Sequence, residues 1–179
     1  MKKIENYDIL KTTMALLPVW TKYGELHTKV VDLYGTLIIA DKPLNIIKYN
    51  CVENGSSYEG KKEGTRQLTG LKSLLPIAVC EQHDIYMFPT ASPKNPECIW
   101  LSLSHIYKAL RKTSRSCDVL MKNGFLIPIS QQKEAVESKI NRAARLRSAL
   151  MDRIKELSED YKINPSLPPE DDDDDQSDE

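Results

Sequence analysis

The dipeptide Asn123-Gly124 constrains the fold of this chain more than any other feature, because it lies between two runs of alternating apolar residues. Both residues tolerate the positive φ angles of the tightest hairpin turns, so the pattern predicts two antiparallel strands joined at this point. The first strand covers residues 117–121 and the second covers residues 125–129. Pro128 lacks the N–H that a sheet ladder needs, which predicts that the second strand lies at a sheet edge or frays at this residue.

A long helical pattern follows the hairpin. Ser130 is expected to be the N-cap of a helix over about residues 131–161. Its apolar residues recur at steps of three and four, at Val136, Ile140, Ala143, Leu150, Ile154, Leu157 and Tyr161. Arg147 lies inside this stripe, and an unpaired charge is costly where a stripe is buried. We therefore expect Arg147 to be structural, either paired with a buried acid or placed where the helix meets a second subunit.

Short apolar runs upstream of the hairpin predict further strands. They cover residues 8–17, ending near Pro18; 27–40, as one or two strands divided at Gly35; 76–80; 85–88; and 98–106. Within the last run, alternation places Cys98, Trp100, Ser102 and Ser104 on one face and Ile99, Leu101, Leu103 and His105 on the other. Helical spacing over residues 44–51 predicts one or two helices between about residues 43 and 68.

These elements predict an α+β fold with an antiparallel sheet of short strands, one or two central helices and a long C-terminal helix. The length of 179 residues suits one domain. We expect that domain to cover residues 1–163, and a disordered linker and acidic tail to cover residues 164–179. The sequence contains no run of about 18 apolar residues, so it predicts no membrane-spanning helix. The N-terminus lacks the apolar core of a signal peptide, so we expect a cytoplasmic protein.

The charges divide the chain into a basic body and an acidic tail. Residues 170–179 read EDDDDDQSDE and hold eight of the 26 acidic residues and no base. The other 18 acids stand against all 25 Lys and Arg, so residues 1–169 carry a net charge of about +7. A basic body is typical of proteins that bind polyanions, most often nucleic acid. A mildly basic domain with a solubilising tail is the alternative interpretation.

Residues 55–62 nearly match the phosphate-binding loop G-x-x-x-x-G-K-[ST], which makes a nucleotide-hydrolysing enzyme one hypothesis. Lys62 stands where that loop needs a hydroxyl group to hold magnesium, and the residues before Gly55 make a poor buried strand. The alternative is a tight basic loop in which Lys61, Lys62 and Arg66 face a polyanion.

No other group of residues favours catalysis or metal binding, so we expect neither an enzyme nor a cofactor. Cys98 and His105 are predicted on opposite faces of one strand, which keeps a thiolate away from its base. Cysteines stand at positions 51, 80, 98 and 117 without the close spacing of zinc ligands, and the three histidines stand alone. We therefore expect buried thiols and no metal.

The long helix carries a basic side opposite its apolar stripe. At 100° per residue this side holds Lys139, Arg142, Arg145 and Arg153. One-sided basic helices bind phosphates. Nearby acids, Glu137, Asp152 and Glu156, dilute the charge, so a solvated face is the alternative. No helix-turn-helix pattern is present, and DNA binding would therefore rest on strands, loops or this helix.

A block that reads C-V-E-N-G-S-S-Y-E-G-K-K-E-G-T covers residues 51–65. Further motifs follow a fixed order around it: Lys42-Pro43-Leu44, Pro76-Ile77, Phe88-Pro89-Thr90-x-Ser92, Pro96-x-Cys98-x-Trp100, Asn123-Gly124, Pro128-Ile129-Ser130, Arg142-x-Ala144-x-Leu146-Arg147 and Asp152-Arg153-Ile154. Together, over about residues 8–160, they resemble the ComK-type competence transcription factors of bacteria. Two departures are Lys61, where many relatives have Arg, and the run of five Asp near the C-terminus.

The resemblance implies a DNA-binding activator of the genes for DNA uptake and transformation. Proteins of this type bind paired A/T-rich boxes of double-stranded DNA, largely through the minor groove, and self-associate on DNA as homo-oligomers. The MecA adaptor captures them for degradation by the ClpC–ClpP protease. The DNA contacts that we expect here are Lys61, Lys62, Arg66, Arg142, Arg145 and Arg153. The alternative is a divergent regulatory interaction protein with weak DNA binding, or with DNA binding that the acidic tail inhibits.

Overall fold

The computed structural model describes residues 6–163, which form two antiparallel sheets and three α-helices. The strands of the first sheet are β1 (Thr13–Trp20), β2 (Leu26–Asp32), β3 (Gly35–Ile39), β4 (Ile77–Cys80), β5 (Ile85–Pro89) and β6 (Trp100–Ser102), in the order β3-β2-β1-β6-β5-β4. The strands of the second sheet are β7 (Ile106–Arg111), β8 (Cys117–Met121) and β9 (Leu126–Ile129), in that order. The helices are α1 (Pro43–Glu53), α2 (Tyr58–Thr69) and α3 (Lys133–Ile163). The predicted α+β class is confirmed.

The hairpin at Asn123-Gly124 is confirmed as the link between β8 and β9. The backbone N–H of Gly124 donates to the Met121 carbonyl at 2.9 Å, and Gly124 has a φ of 88°, which a residue without a Cβ adopts at little cost. β9 is an edge strand of the second sheet, as Pro128 predicts.

The first sheet separates two parts of the hydrophobic core. One of its two central strands, β6, carries Trp100 and Leu101, which are both 0% exposed. Successive side chains of a strand point to opposite faces. Trp100 packs in one cluster with Ile46 and Ile47 of α1, whereas Leu101 packs in another with Val119 of the second sheet. The sheet is therefore covered by α1 on one face and by the second sheet and α3 on the other.

The first strand differs from the prediction. It begins at Thr13 and continues through Pro18 to Trp20, whereas residues 8–17 were expected to form a strand that ended near Pro18. On one side Pro18 pairs with Thr28 of β2. On the other side β6 pairs only with Ala15 and Leu16, so β1 has no neighbour there at Pro18. The missing N–H of the proline therefore interrupts no ladder on that side.

The prediction of one strand over residues 98–106 holds only for Trp100–Ser102. A single 3-10 turn at Leu103–His105 ends β6, and β7 then begins at Ile106 in the second sheet. The alternation of faces holds before the turn, because Cys98 and Trp100 share one cluster while Leu101 lies in the other. It fails afterwards because the chain passes from one sheet to the next.

The C-terminal helix begins later than predicted. Its first residue is Lys133, and the backbone N–H groups of Ala135 and Val136 both donate to the Gln132 carbonyl, so Ser130 is not the N-cap. The apolar stripe is buried at Val136 and Ala143, but Ile154 and Leu157 are 59% and 55% exposed. The far half of the stripe therefore faces no other part of the described chain.

Arg147 has an acidic partner, which is one of the two expected alternatives, but the partner is partly exposed rather than buried. Its guanidinium group donates to both carboxylate oxygens of Asp84, at 2.5 and 3.0 Å. The hydrogen bond from Arg147 to Asp84 raises the pKa of Arg147 above its ordinary value. The pair ties α3 to the turn between β4 and β5, and a structural role for Arg147 is consistent with this contact.

The predicted linker and acidic tail at 164–179 lie outside the described residues. Within residues 6–163, no helix is both long enough and apolar enough to cross a membrane.

Candidate nucleic-acid interface

The segment that resembles a phosphate loop is the start of helix α2. The Ser57 side chain accepts a hydrogen bond from the Gly60 N–H at 2.9 Å and caps the helix. A Cβ at position 60 would lie only 3.1 and 3.2 Å from the hydroxyl oxygens of Ser56 and Ser57, which explains a glycine here. The interpretation of the segment as a tight loop is therefore wrong, because Lys61, Lys62 and Arg66 lie on a helix. Helix α1, rather than a strand, comes before it.

Lys61 faces the body of the protein. Its ammonium group lies 2.9 and 3.0 Å from the two carboxylate oxygens of Glu81, and its side chain is only 12% exposed. This ion pair links α2 to the end of β4. The structure thus gives Lys61 a structural partner and leaves little of it open to a ligand.

Lys62 and Arg66 instead line an open basic groove. The groove has a volume of about 300 Å³, and its charged residues are Lys48, Lys62, Arg66, Lys72, Lys94 and one acid, Glu59. The hydrogen bond from Lys62 to Glu59, at 2.8 Å, lowers the pKa of Glu59. Arg66 makes a similar exposed pair with Glu63 at 3.1 Å. Pairs of this kind on a helix surface are weak, so a polyanion can replace them at small cost.

A second groove extends the basic surface onto α3. It is lined by Leu71, Glu134, Ser138, Asn141, Arg142 and Arg145 and has a volume of about 390 Å³. Arg142 donates a hydrogen bond to the Ser73 carbonyl. Arg145 is exposed and has no side-chain partner within the described part of the chain. Since Lys72 lines the first groove and its neighbour Leu71 the second, the two grooves adjoin at this loop.

We call this combined surface the basic face, defined by Lys48, Lys62, Arg66, Lys72, Lys94, Arg142 and Arg145. It brings together four of the six residues expected to contact DNA, which are Lys62, Arg66, Arg142 and Arg145. Lys61 lies behind it. Arg153 lies about 12 Å farther along α3 than Arg145 and pairs with Glu156 at 4.0 Å.

Lys139 does not join the basic face, although it lies on the basic side of α3 in projection. Its ammonium group donates to the Gln131 side chain at 2.8 Å and to the Ala135 carbonyl at 3.2 Å. Burial lowers the pKa of Lys139 below its ordinary value. The lysine thus fixes the segment before α3.

Sequence reasoning missed three cations of the basic face, namely Lys48, Lys72 and Lys94. Lys48 is exposed on α1 between buried Ile47 and buried Asn50, so helical spacing could have placed it on the outer side. Lys72 and Lys94 lie in loops between helices and strands, where no periodicity indicates which way a side chain points. Only the fold brings them beside α2.

The thiol and imidazole groups lie apart from this surface. The Cys98 thiol is buried and contacts the Ala91 carbonyl at 3.4 Å, whereas the His105 ring bonds to the Lys11 carbonyl at 2.7 Å. Burial raises the pKa of Cys98, and it raises that of Cys51 to about 11. All four cysteines are buried free thiols, as predicted. Residues 6–163 contain no cluster of three or more potential metal ligands.

Comparison with known proteins bears on what this surface binds. The family model described as ComK protein matches residues 4–155. The competence transcription factor of Bacillus subtilis (strain 168) is 30% identical over 151 residues, which cover 84% of this chain and 78% of that protein. No solved structure matches the chain.

Proposed function

Because this chain belongs to the ComK family, and is thus a competence transcription factor, we propose that it binds A/T-rich double-stranded DNA and activates the genes for DNA uptake and transformation. It acts in the cytoplasm, on the chromosome, and not as an enzyme. Residues 1–163 form the DNA-binding domain. The minor groove is the main site of recognition in this proposal, as the resemblance to ComK-type factors implies.

The observation that carries this proposal is the basic face. Seven cations from α1, α2, α3 and the loops between them lie around two adjoining grooves. Phosphate contacts of this kind position a protein on a duplex and make its affinity depend on salt. Lys61 and Arg153 contribute less, the first because Glu81 holds it and the second because it lies beyond the two grooves.

Fluorescence anisotropy with two duplexes of equal length tests the proposal. One duplex carries two A/T boxes, the other is G/C-rich, and each is titrated at two salt concentrations. A preference for the A/T duplex of about tenfold or more, about 1.4 kcal/mol, that persists at the higher salt supports groove recognition. Equal binding to both duplexes, with the same steep salt dependence, contradicts it.

We also propose that two or more copies assemble on DNA through the outer half of α3. Met151, Ile154 and Leu157 are exposed there at helical spacing, beside charges of both signs that suit an antiparallel pair of identical helices. Sedimentation of the protein with one-box and two-box duplexes tests this. A single copy on each two-box duplex would contradict it.

A second candidate is DNA binding that the acidic tail inhibits. The eight acids within residues 170–179 complement the basic body of residues 1–169. An intramolecular polyanion lowers the apparent affinity for DNA, and most strongly at low salt. Deletion of residues 170–179 should then raise the affinity at low salt. An unchanged affinity would remove this candidate.

Capture by the MecA adaptor and degradation by the ClpC–ClpP protease remain a proposal that rests on family membership. Incubation of the purified chain with these proteins and ATP tests it. Degradation that requires the adaptor supports the proposal, and degradation that proceeds equally without the adaptor contradicts it.

A further inference from the structure

The hairpin between β7 and β8 ends in a basic tip at residues 112–116, which hydrogen bonds hold together. The backbone N–H groups of Lys112 and Thr113 donate to the Ser116 carbonyl at 3.1 and 3.0 Å, and the hydroxyl groups of Thr113 and Ser116 lie 2.7 Å apart. The Arg115 N–H donates to the Thr113 hydroxyl at 3.1 Å. The tip is thus fixed by its backbone and its small side chains, and the Arg115 side chain plays no part in that.

The side chain of Arg115 is one of two arginine side chains without a partner among the residues that the structure describes. The chain has seven arginines. Five of them bond to another group: Arg66, Arg111, Arg142, Arg147 and Arg153. The remaining two are Arg115 and Arg145, and both are exposed. Arg145 belongs to the basic face, so Arg115 is the arginine that this surface does not account for.

The hairpin is attached beside the basic face at the end next to its tip. Arg111, the last residue of β7, pairs with Glu134 in the first turn of α3. Glu134 and Arg145 line the same groove, so the hairpin adjoins the side of α3 that presents Arg145. Eleven residues of helix separate those two positions by about 16 Å. Arg115 lies four residues beyond Arg111, within about 14 Å of it, so one duplex of two turns, about 68 Å long, can contact both the tip and the basic face.

We propose that Arg115 enters the minor groove of A/T-rich DNA while the basic face contacts the flanking phosphates. This inference rests on the proposed function and names the residue that reads the groove. The narrow, electronegative minor groove of A/T tracts attracts arginine, whose planar guanidinium group gives up its water more readily than an ammonium group does. Its neighbours Thr113, Ser114 and Ser116 are small enough for the tip to approach a groove about 6 Å wide.

Three duplexes of one length test this with the full chain. One carries A·T boxes, one has these pairs replaced by G·C, and one has them replaced by inosine·cytosine. Inosine lacks the guanine amino group, so its pair with cytosine presents the minor groove of A·T but the major groove of G·C. Wild type should bind the A·T and inosine duplexes alike, and more tightly than the G·C duplex.

Arg115→Ala should weaken binding to the A·T and inosine duplexes about tenfold and change binding to the G·C duplex by less than about twofold. Arg115→Lys keeps the charge, and it should keep the salt dependence while it loses most of the preference for A·T. Lys122→Ala, which removes an exposed cation near the other hairpin turn, is the matched control and should leave the ratio between duplexes unchanged. Urea unfolding of each variant checks that the fold is intact.

If Arg115→Ala lowers the affinity for all three duplexes equally, the inference is overturned, because such a result indicates an ordinary phosphate contact. No change on any duplex would overturn it as well. If the wild-type protein does not bind the A·T duplex more tightly than the G·C duplex, the proposed function itself is contradicted. The wild-type titrations alone show this, so the two failures can be distinguished.

Discussion

The two halves of α3 have the same apolar spacing but different surroundings. In the first half Val136, Ala143 and Leu146 are buried, and Arg147 is paired with Asp84. In the second half Met151, Ile154 and Leu157 are each more than half exposed. The helix has 31 residues and is about 46 Å long, whereas a body of this size is about 30 to 40 Å across. Periodicity therefore predicts a helix and its stripe, but the size of the body decides how much of the stripe is covered.

Truncation of Leu146 should give the largest difference between the two halves. Leu146 is 1% exposed and packs against Ala78 and Tyr86. Leu146→Ala should lower the free energy of unfolding by about 2–5 kcal/mol, because it removes buried methyl groups and leaves a cavity. Leu157→Ala, the same change in the outer half, should cost less than about 0.5 kcal/mol. Urea titrations measure both values, and equal losses would mean that the outer half is also buried.

The sequence predicts elements best where the determinants are local. The Asn123-Gly124 turn, the edge position of Pro128 and the first helix follow from a few adjacent residues, and the structure confirms them. Strand β7 escaped prediction because its register shifts between Ile106 and Lys108, so buried Ile106 and Ala109 stand three residues apart and mimic a helix. The end of β6 was not predicted, because the point at which the chain passes to the second sheet depends on strands that are distant in the sequence.

Neighbouring lysines show why the candidate site was harder to predict than the fold. Lys61 and Lys62 are adjacent in one motif, but successive residues of a helix point about 100° apart. Lys61 therefore meets Glu81, twenty residues later in the chain, while Lys62 lines the open groove. No local pattern indicates where Glu81 will lie. The composition predicts a basic surface, and the tertiary fold decides which cations form it.

Substitution of Arg142, which lies at the boundary between the packed half of α3 and the basic face, should give the next largest loss of stability. Its side chain donates to the Ser73 carbonyl and so holds the loop between α2 and β4. Arg142→Ala should lower the free energy of unfolding by about 1 kcal/mol, since it removes a charge-assisted hydrogen bond that is partly exposed to water. Arg145→Ala, with no partner to lose, is the control and should change stability by less than about 0.5 kcal/mol. Equal effects in urea titrations would mean that the Ser73 contact contributes nothing.

The pair Arg147–Asp84 should contribute less than the Arg142 contact. Both side chains are about 40% exposed (44% and 38%), so solvent screens their attraction. A double-mutant cycle of Arg147→Ala and Asp84→Asn should give a coupling energy of about 0.2–1 kcal/mol at low salt and less at high salt. Asparagine suits position 84 because it tolerates the positive φ of 58° found there. A coupling energy of zero at low salt would show that this bidentate geometry does not hold in solution.

The smallest effect on folding should come from the outer half, where the effect on assembly should be large. Ile154→Ser removes an exposed apolar side chain and should leave the free energy of unfolding within about 0.5 kcal/mol of wild type. If a second copy covers this surface on DNA, the same change should reduce assembly on a two-box duplex while binding to a one-box duplex stays intact. Sedimentation with the two duplexes measures both, and Ser158→Ala, also on the outer half, is the control. If assembly on the two-box duplex is unchanged, the outer half of α3 is not the contact between copies. The difference in burial between the two halves would still hold.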